Sequence, residues 1–168
     1  QRTIVTKCGC AVKLVSGDHG LGHQRNFIFN YMVKNYTQDQ DIISSDDDFK
    51  CIAVSCGKRD YKWGSCPSHT KALNAKETRT FFKNAFKHCR TTGARLWGVN
   101  TSANTLNLDF PGDAPRCSLG LVNGGLFGFR LVDDPELLLI QTARNGCLED
   151  WERSVRFFLR HGTIARFG

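Results

Sequence analysis

Gln24-Arg-Asn-Phe-Ile-Phe-Asn-Tyr-Met-Val-Lys-Asn-Tyr36, followed after a short polar turn by Asp41-Ile-Ile-Ser-Ser-Asp-Asp-Asp-Phe49, decides the fold class. In the first segment Phe29, Met32, Val33 and Tyr36 recur at the spacing that gathers apolar side chains on one helix face, which predicts a helix from about Gln24 to Tyr36. The second segment reads as a short buried strand, Asp41 to Ser45, that runs into three consecutive carboxylates. A helix feeding directly into a strand is the repeating unit of a layered α/β structure.

The same alternation extends in both directions. Upstream, Ile4-Val5 and Ala11 to Val15 read as strands, and a Gly-rich loop from Ser16 to Gly22 leads into the helix. Downstream, Cys51 to Val54 reads as a strand and Lys76 to Arg90 as a helix. Its inward face is Phe81, Phe82, Ala85, Phe86 and Cys89, its outward face Lys83, Lys87 and Arg90, and Gly93 is its terminator. Arg95 to Val99 is a strand, Thr101 to Ser118 a long loop with room for one strand inside it, and Leu119 to Val122, Leu126 to Leu131 and Leu137 to Ile140 are strand-like runs. A last helix spans Glu149 to His161, with Trp151, Val155, Phe158 and Leu159 as its core face and Arg153, Arg156 and Arg160 mostly away from it. The short strand Thr163 to Phe167 closes the pattern, which predicts an α/β fold and one domain over residues 1–168.

A chain of 168 residues with 40% hydrophobic and 23% charged residues can bury one proper core. Its 16 Gly and 4 Pro in a mixed sequence exclude collagen-like, low-complexity and wholly disordered classes. The longest apolar run, Leu137 to Ile140, falls far short of the roughly 20 residues a membrane span needs. Gln1 to Lys7 carry no apolar stretch of the signal-peptide kind, so a cytoplasmic, reducing setting is the expectation, although a chain that does not begin with Met is compatible with processing and a secretory lumen. The excess of 23 Lys+Arg over 16 Asp+Glu, a net charge of +7, suits an anionic partner such as nucleic acid, a phosphate-bearing small molecule or an acidic membrane face.

The 8 cysteines are Cys8, Cys10, Cys51, Cys56, Cys66, Cys89, Cys117 and Cys147. Only Cys8/Cys10 and Cys51/Cys56 approach the paired spacing of a zinc site, and neither has a well-spaced second half. Small buried hydrophobes and disulfides are the other two uses open to them.

Chemistry concentrates in four places. Three adjacent carboxylates, Asp46-Asp47-Asp48, repel one another unless solvent or a cation relieves them. Alternate strand residues share a side, so Asp46 and Asp48 would converge on one hard divalent ion, Mn²⁺ or Mg²⁺; a solvated acidic turn would account for the triplet as well. Arg25 falls on the apolar side of its helix, with Asn26 at the border, and a cation aimed at the core needs a partner: either the Asp triplet or a bound anion. Val122-Asn-Gly-Gly-Leu-Phe-Gly-Phe-Arg130 sets Gly124 and Gly125 among apolar residues, as expected where a substrate passes close to main chain, or in a tight hairpin turn. Glu149-Asp150-Trp151-Glu152 opens the final helix, where acidic residues also simply complement the helix dipole.

Taken in order, the glycine loop with Arg25-Asn26, the strand into Asp46-Asp47-Asp48, the Asn123-Gly124-Gly125 segment through Arg130, and Glu149-Asp150-Trp151-Glu152 with Arg156 and Gly162 resemble a glycosyltransferase of the GT-A fold over positions 17 to 167. A more distant likeness is to the glycosyltransferases of DNA-modification systems and large DNA viruses. The resemblance implies a compact or shortened GT-A-like domain with a mixed, mostly parallel central sheet flanked by helices. It implies transfer of a sugar from a nucleotide-diphosphate-sugar donor to a hydroxyl acceptor on a glycan, a protein or a modified nucleobase. Asp46 and Asp48 match the metal motif and imply Mn²⁺ or Mg²⁺. Arg25, Asn26, Asp46, Asp47, Gly124 and Gly125 fall where the donor is held, and Glu149 and Asp150 match the motif whose carboxylate acts on the acceptor, with inversion at the anomeric carbon. His161, on the final helix, is a poor match for the further metal-binding His of such enzymes.

Two rivals belong to other classes. A haloacid-dehalogenase-type phosphohydrolase also places two aspartates after a strand, but Lys50 stands where it wants Thr or Val. A basic Cys-rich nucleic-acid-binding module over Cys51 to His69 would use Tyr61 and Trp63 for stacking and Lys58, Arg59 and Lys62 for phosphates.

Overall fold

The computed structural model describes residues 2–5, 11–47, 51–55, 70–100, 114–140 and 148–168. Strands β1 (Arg2–Val5) and β2 (Ala11–Leu14) pair antiparallel ahead of helix α1 (Leu21–Asn35) and strand β3 (Asp41–Ser45). Strands β4 (Ala53–Ser55) and β5 (Thr70–Ala72) form a second antiparallel pair before helix α2 (Ala75–Thr92). There follow β6 (Leu96–Val99), β7 (Arg116–Cys117), β8 (Leu126–Arg130), a 3₁₀ turn (Pro135–Leu137), helix α3 (Glu149–His161) and β9 (Ala165–Phe167).

The main sheet has five strands in the order β3-β8-β6-β9-β7. β8 lies antiparallel to both β3 and β6, β7 is antiparallel to β9, and only β6 and β9 run parallel. The sheet is therefore mixed, and the expectation of a mostly parallel one is corrected. Alternating strands and helices dictate layers, but strand direction depends on which edge each strand joins, and β8 inserts in reverse between β3 and β6.

Helices cover both faces. Phe127 and Phe129 of β8, Ile42 of β3 and Leu96 of β6 point to one side, where Phe157 of α3 and Phe29, Met32 and Val33 of α1 pack on them. Trp97 and Ala165 point to the other side and meet Ala85, Phe86 and Cys89 of α2, with Phe81 and Phe82 beside them. Strand pleating produces this split, since Leu96 and Trp97 are neighbours with opposite orientation. Trp97 needs room, and β8 supplies it: a Cβ on Gly128 would stand 2.4 Å from the indole.

α2 is set by its ends. Asn74 accepts from the Glu77 N–H while the Glu77 carboxylate accepts from the Asn74 N–H, a reciprocal cap. Gly93 closes the helix at φ 79°, the left-handed conformation expected of that glycine.

Other expectations are revised. Tyr36 falls past the end of α1 in extended backbone and is exposed, so it leaves the apolar face. β3 is an edge strand in which Ile42 is buried and Ile43 is 43% exposed. Leu119 to Val122 lies outside any strand. Leu137 to Ile140 is not a strand either, because Asp134 caps a 3₁₀ turn begun by Pro135. Within α3, Arg153, Ser154 and Phe157 are the buried residues, whereas Trp151 is 47% and Leu159 78% exposed, so the core face is rotated from the expected one. The loop expected over Thr101 to Ser118 lies mostly outside the described residues. Among the described residues no helix is long and apolar enough to cross a membrane.

Candidate functional site

Four chain segments distant in sequence meet at one end of β3 and β8. The Arg25 Nη2, from α1, donates to Asp46 Oδ1 at 3.0 Å, one residue beyond β3. The Asp46 N–H donates to the Gly125 carbonyl at 3.0 Å, which ties the end of β3 to the turn before β8. That turn is shaped locally, since the Gly125 N–H donates to Asn123 Oδ1 at 2.8 Å. The Gly124 N–H donates to Asp150 Oδ2 at 2.9 Å, bringing in the first turn of α3.

Asp150 is held from a third direction. Arg153 Nη2 donates to Asp150 Oδ1 at 2.9 Å and to the Val122 carbonyl at 2.9 Å. Ser154 Oγ donates to the Asp150 carbonyl at 2.7 Å and accepts from the Val122 N–H at 2.9 Å. The start of α3 is thus locked to residues 122–125 by three side chains of its own first two turns. The Arg153 guanidinium also lies 3.9 Å over the Phe127 ring, and that of Arg25 lies 5.8 Å from the same ring.

Burial pushes the Arg153 guanidinium below its usual range, the Asp150 carboxylate offsets only part of this, and the nearby Arg25 charge adds to the fall. Burial, opposed by a hydrogen bond from its own backbone N–H, raises the Glu149 carboxyl above its usual range, and the neighbouring Asp150 charge adds to the rise. Of the two partners open to Arg25, the Asp triplet supplies it.

Asp46, Arg25, Gly124, Gly125, Asp150 and Glu149 are therefore brought together. Asp47 is described and exposed, while Asp48, the second expected metal ligand, lies outside the described residues. Asn26 faces elsewhere: its carboxamide accepts from the Leu139 N–H and donates to the Leu139 carbonyl, each at 2.8 Å, so it fastens the segment after the 3₁₀ turn to α1. His161 ends α3, opposite its Asp150 end. Arg153 is the residue that sequence reasoning misses. Its signal was its place three residues after Asp150, the spacing of an ion pair within a helix.

Asp46 suits a hard cation as one ligand: its carboxylate is 40% exposed, and Arg25 is its ion-pair partner through Oδ1. Among the described residues no three His, Cys, Asp or Glu side chains converge on a common point. Of the cysteines, Cys51 and Cys117 are exposed free thiols and Cys89 is a buried one, pushed up to about 12 by burial as befits a small core hydrophobe. The other cysteines, and residues 56–69 of the stretch from Cys51 to His69 read as a nucleic-acid module, lie outside the described residues.

No protein-family model matches the chain, and comparisons with curated proteins and with solved structures gave no match.

Proposed function

We propose that this chain is a metal-dependent glycosyltransferase of GT-A-like design, moving a sugar from a nucleotide-diphosphate-sugar to a hydroxyl acceptor with inversion. The observation that carries the proposal is the convergence of Arg25, Asp46, Gly124 and Asp150 at one end of the sheet. These residues come from the segments whose order in the chain suggests the chemistry, and nothing in core packing requires their acidic and basic groups to meet.

Mn²⁺ or Mg²⁺ held by Asp46 and Asp48 would neutralise charge on the departing nucleoside diphosphate. Arg25 orients the Asp46 carboxylate through their 3.0 Å ion pair. Asp150 is the general base. Its oxygens accept from Arg153 and the Gly124 N–H, donors that fix the direction of the carboxylate. The acceptor oxygen bonds to the anomeric carbon as the bond from that carbon to the diphosphate oxygen breaks. The electron pair leaves with the nucleoside diphosphate, and the acceptor proton passes to Asp150. Gly124 has no side chain, so its main chain can pack against that carboxylate.

A thermal-shift screen of nucleotide sugars with and without Mn²⁺ tests the proposal. Stabilisation by one donor, present only with the metal, is the expected result; no stabilisation by any donor would count against it.

A further inference from the structure

The outer face of α2 is a row of cations. Lys76, Arg79, Lys83, Lys87 and Arg90 are all exposed. At 3.6 residues per turn they fall within about 80° of the helix circumference and run about 21 Å along its axis. The opposite face is spent on the core, where Phe81, Phe82, Ala85, Phe86 and Cys89 pack with Trp97.

Little neutralises the row. Arg90 Nη2 donates to Asp41 Oδ1 at 2.7 Å, but Lys76, Arg79, Lys83 and Lys87 have no ion-pair partner among the described residues. The helix holds one acid, Glu77, which lies to the side of the row and is bound by Lys71 at 2.6 Å. Helix stability does not explain the arrangement. Arg79, Lys83 and Lys87 are successive like charges four residues apart, which weakens a helix, and Lys76 stands in the first turn, where a cation opposes the helix dipole.

The surroundings of the row select among anionic partners. A helix that lies in a membrane needs a free apolar side, and that of α2 is occupied by the sheet. Protein interfaces carry an apolar centre, whereas the exposed neighbours of these cations, Thr80 and Asn84, are polar. Single strands are held by exposed aromatic rings, and Phe81, Phe82 and Phe86 of α2 point inward. The phosphates of a duplex need only cations spaced along a line.

We infer that the outer face of α2 docks on the phosphate backbone of a nucleic-acid duplex, whatever its base sequence. Over about 21 Å a duplex presents about twelve phosphates, enough to meet every cation of the row. Each contact releases condensed counterions, which makes binding steep in salt. α2 covers the sheet face opposite α1 and α3, so the inference stands apart from sugar transfer and needs neither donor nor metal.

Fluorescence anisotropy of the whole chain tests it, with a labelled DNA duplex of about 20 base pairs, a scrambled counterpart and the matching RNA duplex. All three should bind within about threefold of one another, and the association constant should fall with a log–log salt slope of about −4. Lys83→Gln combined with Lys87→Gln should weaken binding about tenfold and make the slope shallower by about two. Lys13→Gln combined with Lys34→Gln removes the same charge from exposed sites elsewhere and should weaken binding by less than about threefold. Lysine acetylation of the native chain, read by peptide mass spectrometry, needs no variant: the duplex should shield Lys83 and Lys87 and leave Lys13 and Lys34 reactive. Absence of duplex binding, equal losses in the two double variants, or shielding confined to Lys58 and Lys62 would each overturn the inference. Tighter binding to a single strand, or to vesicles of acidic phospholipid, would overturn it as well.

Discussion

The main-chain N–H of Gly124 donates to the Asp150 carboxylate at 2.9 Å across 26 residues of sequence. The approach leaves no space for a side chain: a Cβ on Gly124 would lie 2.7 Å from Asp150 Oδ1 and 3.2 Å from Arg25 Nη2. One glycine thus sets the distance between the carboxylate of α3 and the guanidinium of α1.

Gly124→Ala should therefore displace Asp150, Arg25 or both. Overpacking of this kind costs about 1–3 kcal/mol of stability. A shift of about 1 Å at a catalytic group can lower turnover about a hundredfold. Urea unfolding beside a sugar-transfer assay separates the two effects, and unchanged turnover would remove Asp150 from the proposed chemistry.

Asp150→Asn retains shape and an acceptor for the Gly124 N–H but cannot take a proton. Transfer should fall by about 10²–10⁴-fold, the usual contribution of a general base. Mn²⁺-dependent stabilisation by the donor should persist, because the metal ligands are untouched. Retained transfer in this variant would exclude Asp150 as the base.

Asp46→Asn addresses the other end of the cluster. Asp46 is 40% exposed and its ion pair with Arg25 is partly solvated, so stability should change by less than about 1 kcal/mol. Metal-dependent donor stabilisation should nevertheless disappear, since an amide is a poor ligand for a hard cation. A thermal-shift titration of Mn²⁺ with donor present measures both.

How far the sequence reveals this arrangement depends on the range of the interactions that decide each feature. α2 is plain because its signals are local: an apolar stripe from Phe81 to Cys89 and Gly93 in the left-handed conformation at its end. The limits of α3 are equally plain, but its orientation is not. The spacing of Trp151, Val155 and Leu159 predicts an inward apolar face, yet Arg153 turns inward because Asp150, the Val122 carbonyl and the Phe127 ring all lie there. Those partners come from a turn and a strand that no helical wheel contains. Sheet direction fails for the same reason, since the reversed entry of β8 between β3 and β6 is a long-range choice. In the candidate site, Arg25 announces itself as a cation on an apolar face in need of an acid. Asn26 next to it reads as a donor ligand, because the Leu139 main chain that occupies its carboxamide is 113 residues away.

Glu149 gives a test based on pH. Burial and the adjacent Asp150 raise its carboxyl in the folded protein above the ordinary value of 4.5. Between these two values the folded state binds more protons than the unfolded chain, so stability falls as pH rises through that window. The favourable contribution is complete below the unfolded value and is lost once pH passes the folded one. Glu149→Gln keeps the shape and removes the titration, so the variant should gain stability relative to the native chain as pH is raised from about 4 to 7. Urea midpoints for both proteins across that range provide the measurement. A difference that stays constant with pH would mean that Glu149 titrates as it does in the unfolded chain, and that Asp150 does not share its environment.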